Sequence, residues 1–234
     1  GVLKIHSSES NLCFSEHFTP KLLPENLEDG KDLGDGFCVK LQFLDSEDEQ
    51  PYAAFVAKEN NPLGQYHAFF PDGILKHKSY YTMVGKKSLL HGPAMSYAKD
   101  GTLLSKAWYF KGNLEGEVRN YYPNKALFSL TRYKKGEMEG KQEYFYKNGM
   151  KKTIMCYHNG KMSGESQLFH QNGKTFRIVP LLDGLRQGEE KEFYPSGIQS
   201  HYRLYKNDKM TQERTWFPQG TLKEEQTYYG KVGH

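Results

Sequence analysis

Residues 116–164 read GEVRNYYPNKALFSLTRYKKGEMEG and then GKQEYFYKNGMKKTIMCYHNGKMSG, one pattern written twice. Shifted by 24 residues, Gly116 falls on Gly140, Gly140 on Gly164, Tyr133 on Tyr157 and Met138 on Met162. A fixed period of this length marks a repeat architecture, in which each unit buries its apolar surface only by stacking on its neighbours. The same phase extends outward. Gly64 opens a first copy stretched by four residues, Gly92, Gly116, Gly140, Gly164 and Gly188 follow, and Gln212 opens a seventh copy one residue short.

Each unit predicts a β-hairpin. A first strand ends in an aromatic pair such as Tyr121-Tyr122, Phe145-Tyr146 or Phe193-Tyr194. A turn follows, PDG at 71–73, KDG at 99–101, KNG at 147–149, QNG at 171–173, PSG at 195–197 and PQG at 218–220. Glycine supplies the positive φ such turns need. PNK at 123–125 lacks it, so Asn124 or Lys125 must take the strained position. A second strand then runs to a Tyr such as Tyr133 or Tyr157, and another glycine turn leads into the next unit. In the fifth copy Pro180 cannot donate to a ladder, and an irregular strand is expected there. The fold class is therefore all-β, an elongated single-layer antiparallel meander of about seven hairpins. Columns of like side chains on neighbouring strands stabilise such a sheet. The column Tyr97, Tyr121, Phe145, Phe169, Phe193 and Trp216 leads, with a thinner one of Leu114, Met138, Met162 and Met210 beside it.

Residues 1–63 stand outside the repeat. Residues 1–35 read as an irregular arm with one helical turn, and 36–44 and 51–59 as a hairpin that caps the otherwise open sheet edge. The domain division is thus an N-terminal arm and cap over 1–63 and the array over 64–234. Charge divides at the same place. Residues 1–63 hold 5 Lys/Arg against 12 Asp/Glu, whereas the array holds 27 against 16. No run reaches the length of a membrane span, so a soluble chain is expected. The opening GVLKIHSSES has no signal-peptide core. Because the chain starts at Gly1, prior removal of a leader stays open.

The pattern Gly-x-x-x-x-aromatic-Tyr-Pro-Asn-Gly, ending in Tyr-x-x-Gly-x-x-x-Gly, resembles the MORN repeat, and more closely its bacterial, antitoxin-like variant. Residues 116–140, 140–164 and 188–210 match best, and the resemblance covers about residues 64–230. It implies a protein–protein scaffold, acidic-phospholipid binding, or neutralisation of a partner toxin. Asp208 and Gln212 depart from the pattern where glycine is expected, which implies a fraying or capped C-terminal end.

The residue types argue against an enzyme. His67, His77, His91, His158, His170 and His201 fall at different repeat positions, with no metal-ligand spacing. Cys13, Cys38 and Cys156 form neither a disulfide framework nor a zinc motif. Cys156 and His158 are close in sequence but lack an orienting third group. Glu189-Glu190 and Glu224-Glu225 read as solvated strand faces. No cofactor motif is present, and the glycines precede no helix that would make a phosphate loop. What remains is a run of basic and aromatic residues: Lys134, Lys135, Lys141, Lys147, Lys151 and Lys152 with Tyr133, Tyr144, Tyr146 and Tyr157. Residues 140–163 carry 5 basic and 1 acidic residue, the most positive full repeat. The reading favoured is a non-enzymatic scaffold that uses this cluster on an acidic partner protein. Acidic phospholipid is the alternative, and nucleic acid ranks last.

Overall fold

The computed structural model describes residues 18–228. Two kinds of turn, one at each end of the hairpins, set the architecture. At Tyr146–Met150 the Gly149 N–H donates to the Tyr146 carbonyl (2.9 Å) and the Tyr146 N–H to the Met150 carbonyl (2.8 Å). Gly149 has φ 82°, and Asn148 Oδ1 accepts the Met150 N–H (3.0 Å). This is a type I turn closed by a left-handed glycine, fastened by the asparagine side chain. The same pair of backbone bonds recurs at Phe70–Ile74, Ala98–Thr102, Tyr122–Ala126, His170–Lys174, Tyr194–Ile198 and Phe217–Thr221. In the copy without glycine, Lys125 takes φ 68°. At the other end, Lys111-Gly112, Lys135-Gly136, Asn159-Gly160, Asp183-Gly184 and Asn207-Asp208 are positive at both residues. That is the two-residue type I′ pattern, whose twist matches the flanking strands.

Contacts divide the chain after Asn113. The first unit contains β1 (Asp32–Gly34), β2 (Phe37–Gln42), β3 (Ala53–Lys58), β4 (Asn61–Phe69), β5 (Leu75–Val84), β6 (Lys87–Leu90), β7 (Gly92–Tyr97) and β8 (Leu103–Phe110). β9 (Asn113–Leu114) carries the division. The second unit continues with β10 (Gly116–Tyr121), β11 (Leu127–Lys134), β12 (Glu137–Met138), β13 (Gly140–Phe145), β14 (Lys151–His158), β15 (Lys161–Met162) and β16 (Gly164–Phe169). It ends with β17 (Thr175–Leu182), β18 (Leu185–Arg186), β19 (Gly188–Phe193), β20 (Gln199–Lys206), β21 (Lys209–Trp216) and β22 (Leu222–Thr227). Within each unit the pairings are antiparallel between strands close in sequence, so the fold is an all-β hairpin meander. The described residues contain no helix, hence none able to cross a membrane. The helical turn expected in the arm is absent from residues 18–35, whose breakers and acids leave only a bend, turns and β1.

The glycines that open each unit are not turn residues. From Gly116 to Gly188 each is the first residue of a six-residue strand that follows a two-residue one, as Gly140 opens β13 after β12, with φ between 75° and 108°. They form bulges in which the left-handed glycine lets one strand carry extra residues past its partner. This bulge explains why the fifth copy is regular after all. β17 runs unbroken through Pro180, which faces Glu165 on one side. On its other side the ladder skips from Ile178↔Lys191 to Leu181↔Arg186, and the Pro180 carbonyl takes the Gln187 N–H (3.0 Å). The missing N–H thus points at a gap in the ladder, where it costs no bond.

The cap hairpin extends the sheet directly, since β2 pairs with β3 and β3 with β4. Val39 and all of Ala53–Ala57 are buried, the densest core of the first unit. The short β1 is then an edge strand. In the second unit burial is sparser, with Leu130 and Tyr205 among the enclosed side chains. The column expected to lead, Tyr97 to Trp216, is half-buried. Its backbone does more: the carbonyls of Phe145, Phe169 and Trp216 accept the hydroxyls of Tyr122, Tyr146 and Tyr194 from the preceding repeat (2.8–3.0 Å), and Phe193's pairs with His170 Nε2 (2.9 Å). Asp208, the departure from glycine, accepts both the Arg186 N–H (3.2 Å) and its guanidinium (2.7 Å).

Candidate functional site

Side chains alternate across a strand, so pairing assigns each residue of the predicted cluster to a face. Tyr144 opposes Ser129 and Thr153, and the alternating positions lead to Tyr133 and Tyr157. These three tyrosines share one face. Lys141 opposes Cys156 and Glu143 opposes Leu130, which puts Lys134 and Lys141 on the reverse face. Lys151 joins them there through its ion pair with Glu143 (2.9 Å). The interleaving seen in the sequence is therefore a separation in space. Lys135 sits in a type I′ turn and Lys147 at the opposite end of the hairpin, about 26 Å away for an eight-residue strand such as β14 at ~3.3 Å per residue. Lys147 lies over the Tyr122 ring (6.0 Å) and Lys152 over that of Tyr146 (5.9 Å), so these two lysines are held by cation–π contacts at the type I end.

The tyrosine face is a packed polar layer. Gln142 Nε2 donates to Tyr144 Oη and Thr131 Oγ1, both at 3.1 Å. Burial pushes the Tyr157 hydroxyl up, with Tyr144 and Tyr133 adding to the rise. Farther along this face lies a charge cluster that sequence reading missed. Glu190 is fully buried and takes the guanidinium groups of Arg177 (2.7 Å) and Arg203 (3.0 Å). Arg203 also meets Glu192 (2.9 Å) and Glu213 (2.8 Å). Burial alone would lower the Arg203 pKa, but its bonds to Glu213, Glu192 and Glu190 outweigh that and raise it. The expectation that Glu189-Glu190 is solvated therefore fails for Glu190, because neighbouring residues of a strand face opposite ways. Glu189 is the exposed member, paired with Lys191 (2.9 Å). The signal available in the sequence was the spacing of two between Glu190 and Glu192, with an arginine, Arg177 or Arg203, on the strand to either side.

The lysine face is more open. Lys134 and Lys141 are exposed, while Leu130, Ile154, Cys156, Ile178, Pro180 and Leu204 run along the same face as an apolar stripe, mostly half-buried. The Cys156 thiol donates to the Glu165 carbonyl (3.4 Å), and His158 Nδ1 meets Glu139 (3.0 Å), so the two groups do not engage each other as nucleophile and base. At the turn end, Lys134, Lys135, Glu137, Glu139, His158 and Asn159 line a shallow groove of about 260 Å³. The Asn159 N–H, followed by His158, holds the Glu139 carboxyl below the usual range. Among the described residues no three His, Cys, Asp or Glu side chains are arranged to hold a metal.

No curated protein sequence matches the chain significantly. A family model does match it in three places, residues 114–135, 138–159 and 186–207. The unmatched stretch between the last two holds Pro180 and the Leu182–Leu185 turn. In those three hairpins the chain is similar to the MORN repeat variant, a type of repeat that commonly serves protein or membrane interaction.

Proposed function

We propose that the protein is a non-enzymatic scaffold that binds a partner protein with an acidic surface, using the lysine face of its second unit. The observation that carries this reading is the sorting of the cluster. Lys134, Lys141 and Lys151 share an open face with an apolar stripe, while Tyr133, Tyr144 and Tyr157 are spent in packing on the reverse. A basic rim beside apolar surface gives a partner both electrostatic steering and area to bury. Lys135, Lys147, Lys152 and Tyr146 lie at the hairpin ends and would contribute at the periphery. A toxin neutralised by this face is a special case of the same reading. Binding of acidic phospholipid is the second reading. It draws on Leu182 and Leu185, which are 57% and 46% exposed on either side of the Asp183-Gly184 turn.

The test is a pull-down from the native host with the full chain as bait, beside a Lys134→Glu/Lys141→Glu variant. Lys151 is left intact because its loss would strand the mostly buried Glu143. The partner is expected to be retained by the unaltered chain at 0.1 M salt and lost with the variant. It should also weaken toward 1 M salt, as the Debye length falls from ~10 Å to ~3 Å. Equal capture by both chains would refute the lysine face. Sedimentation with phosphatidylserine vesicles that is lost on Leu182→Ser/Leu185→Ser would favour lipid.

A further inference from the structure

In the first unit the chain lays its own segment across the sheet. The Phe18 ring packs against Tyr80 (5.3 Å), Trp108 (5.7 Å) and His91 (5.8 Å) and passes over Gly92, where any Cβ would strike it. Three residues on, the Lys21 carbonyl accepts the Gln65 N–H (2.9 Å) and lies 2.6 Å from where a Cβ of Gly64 would stand. The Leu23 N–H then donates to Gln65 Oε1 (2.8 Å). Two unit-opening glycines thus floor a track that holds an extended segment by one aromatic anchor and backbone bonds. Tyr80 and Trp108 each stand opposite the residue that follows such a glycine, Gln65 and Pro93.

By the same register the second unit offers Arg132 opposite Glu117, Cys156 opposite Lys141, Pro180 opposite Glu165 and Leu204 opposite Glu189. Ile154 and Ile178 lie two residues away on the same face. The glycine floor is present too, but nothing crosses it among the described residues. A Cβ at Gly164 would meet only Cys156, one at Gly188 only Pro180, and one at Gly116 nothing within 4 Å.

Resting on the reading that this face binds a protein, we infer that its Gly164–Gly188 track receives an extended, aromatic-anchored segment of that partner, seated as residues 18–23 are seated in the first unit. The aromatic ring lies over Gly188 against Pro180 and Leu204, and the backbone runs past Gly164 beside Cys156. Glu165 and Glu189 border the anchor itself, so the acidic residues of the segment lie past Gly164, where Lys141 and Lys134 share the face.

The probe is a fluorescein-labelled peptide with the sequence of residues 16–25, EHFTPKLLPE, added to the full chain. Saturable binding is expected. Ile178→Glu and, separately, Leu204→Glu should each weaken it about tenfold or more, because a charge would be buried against the anchor. Phe18→Ala in the peptide should do the same. A readout without face variants is iodoacetamide alkylation of Cys156 in a Cys13→Ser/Cys38→Ser chain, which the peptide should slow several-fold. Peptide binding indifferent to both variants, with unchanged alkylation of Cys156, overturns the inference. So does concentration-dependent self-association lost on Ile178→Glu, which would give the track to a second copy. If the native partner is still captured through Lys134 and Lys141 while the peptide fails, the track is wrong and the lysine face stands. If the peptide binds but no partner depends on those lysines, the reverse holds.

Discussion

His67 shows how a single side chain ties stability to pH. Burial, reinforced by the charge of Lys78, lowers its pKa to about 4, and its Nε2 is enclosed without a hydrogen-bond partner. The folded chain therefore keeps the imidazole neutral, while the unfolded chain protonates it near 6.5. Its contribution is complete above pH 6.5 and is lost as pH falls from there to about 4, since the unfolded state binds the extra proton. His77, lowered by burial, adds in the same direction. Replacing His67 with Gln should flatten the dependence of Tm on pH between 7 and 4.5; an unchanged slope would mean that the ring is solvated. Glu190 contributes through its buried ion pairs with Arg177 and Arg203. Glu190→Gln should cost about 3–5 kcal/mol in urea unfolding, because two arginines would lose their shared buried partner. Glu225→Gln, which removes an exposed partner of Arg214, should leave the midpoint where it is.

The hairpin is the element that repeats, and its turns carry most of its specificity. Gly149 has φ 82° with open space around its missing Cβ, so Gly149→Val should destabilise by about 1–3 kcal/mol through backbone strain alone. Lys125 occupies the equivalent position at φ 68° and already bears that strain. Lys125→Gly should accordingly stabilise, by about 1 kcal/mol or less, once glycine's extra freedom in the unfolded chain is subtracted. Equal midpoints for all three chains would argue against the left-handed position. These turns were readable in the sequence because Asn-Gly and Asp-Gly act locally. The bulge was not, because Gly140 in a strand and Gly140 in a turn obey the same spacing, and Pro180 was misjudged for want of it. The candidate site was readable as composition only: strand alternation sends Lys141 and Tyr144 to opposite faces, and one register decides which. The arm's seat was invisible, since nothing in Phe18-Thr19-Pro20 announces that Gly92 leaves room for a ring.

Across the whole molecule, stability should be graded rather than uniform. In the first unit β3 is buried along nearly its whole length, whereas every residue of β22 is exposed. Amide hydrogen exchange should therefore be slowest over Ala53–Ala57 and fastest in Leu222–Thr227, with the second unit's strands between. Uniform protection would show a single cooperative block instead of neighbour-coupled repeats. The charges of β22, Lys223, Glu224 and Glu225, suit an edge that must stay unpaired with other chains.

The asparagine-fastened turns bear on how the protein ages. Asn-Gly pairs deamidate when the glycine nitrogen attacks the asparagine side-chain carbonyl and closes a succinimide ring. At Asn148 and Asn172 that nitrogen is committed as a donor to the carbonyls of Tyr146 and His170 (both 2.9 Å), while each Oδ1 holds the N–H two residues on (3.0 Å). The fold withholds the nucleophile and fixes the electrophile away from it. Isoaspartate at these two positions would then accumulate only during excursions in which the turns open, and would keep a chemical record of how long each hairpin has spent unfolded.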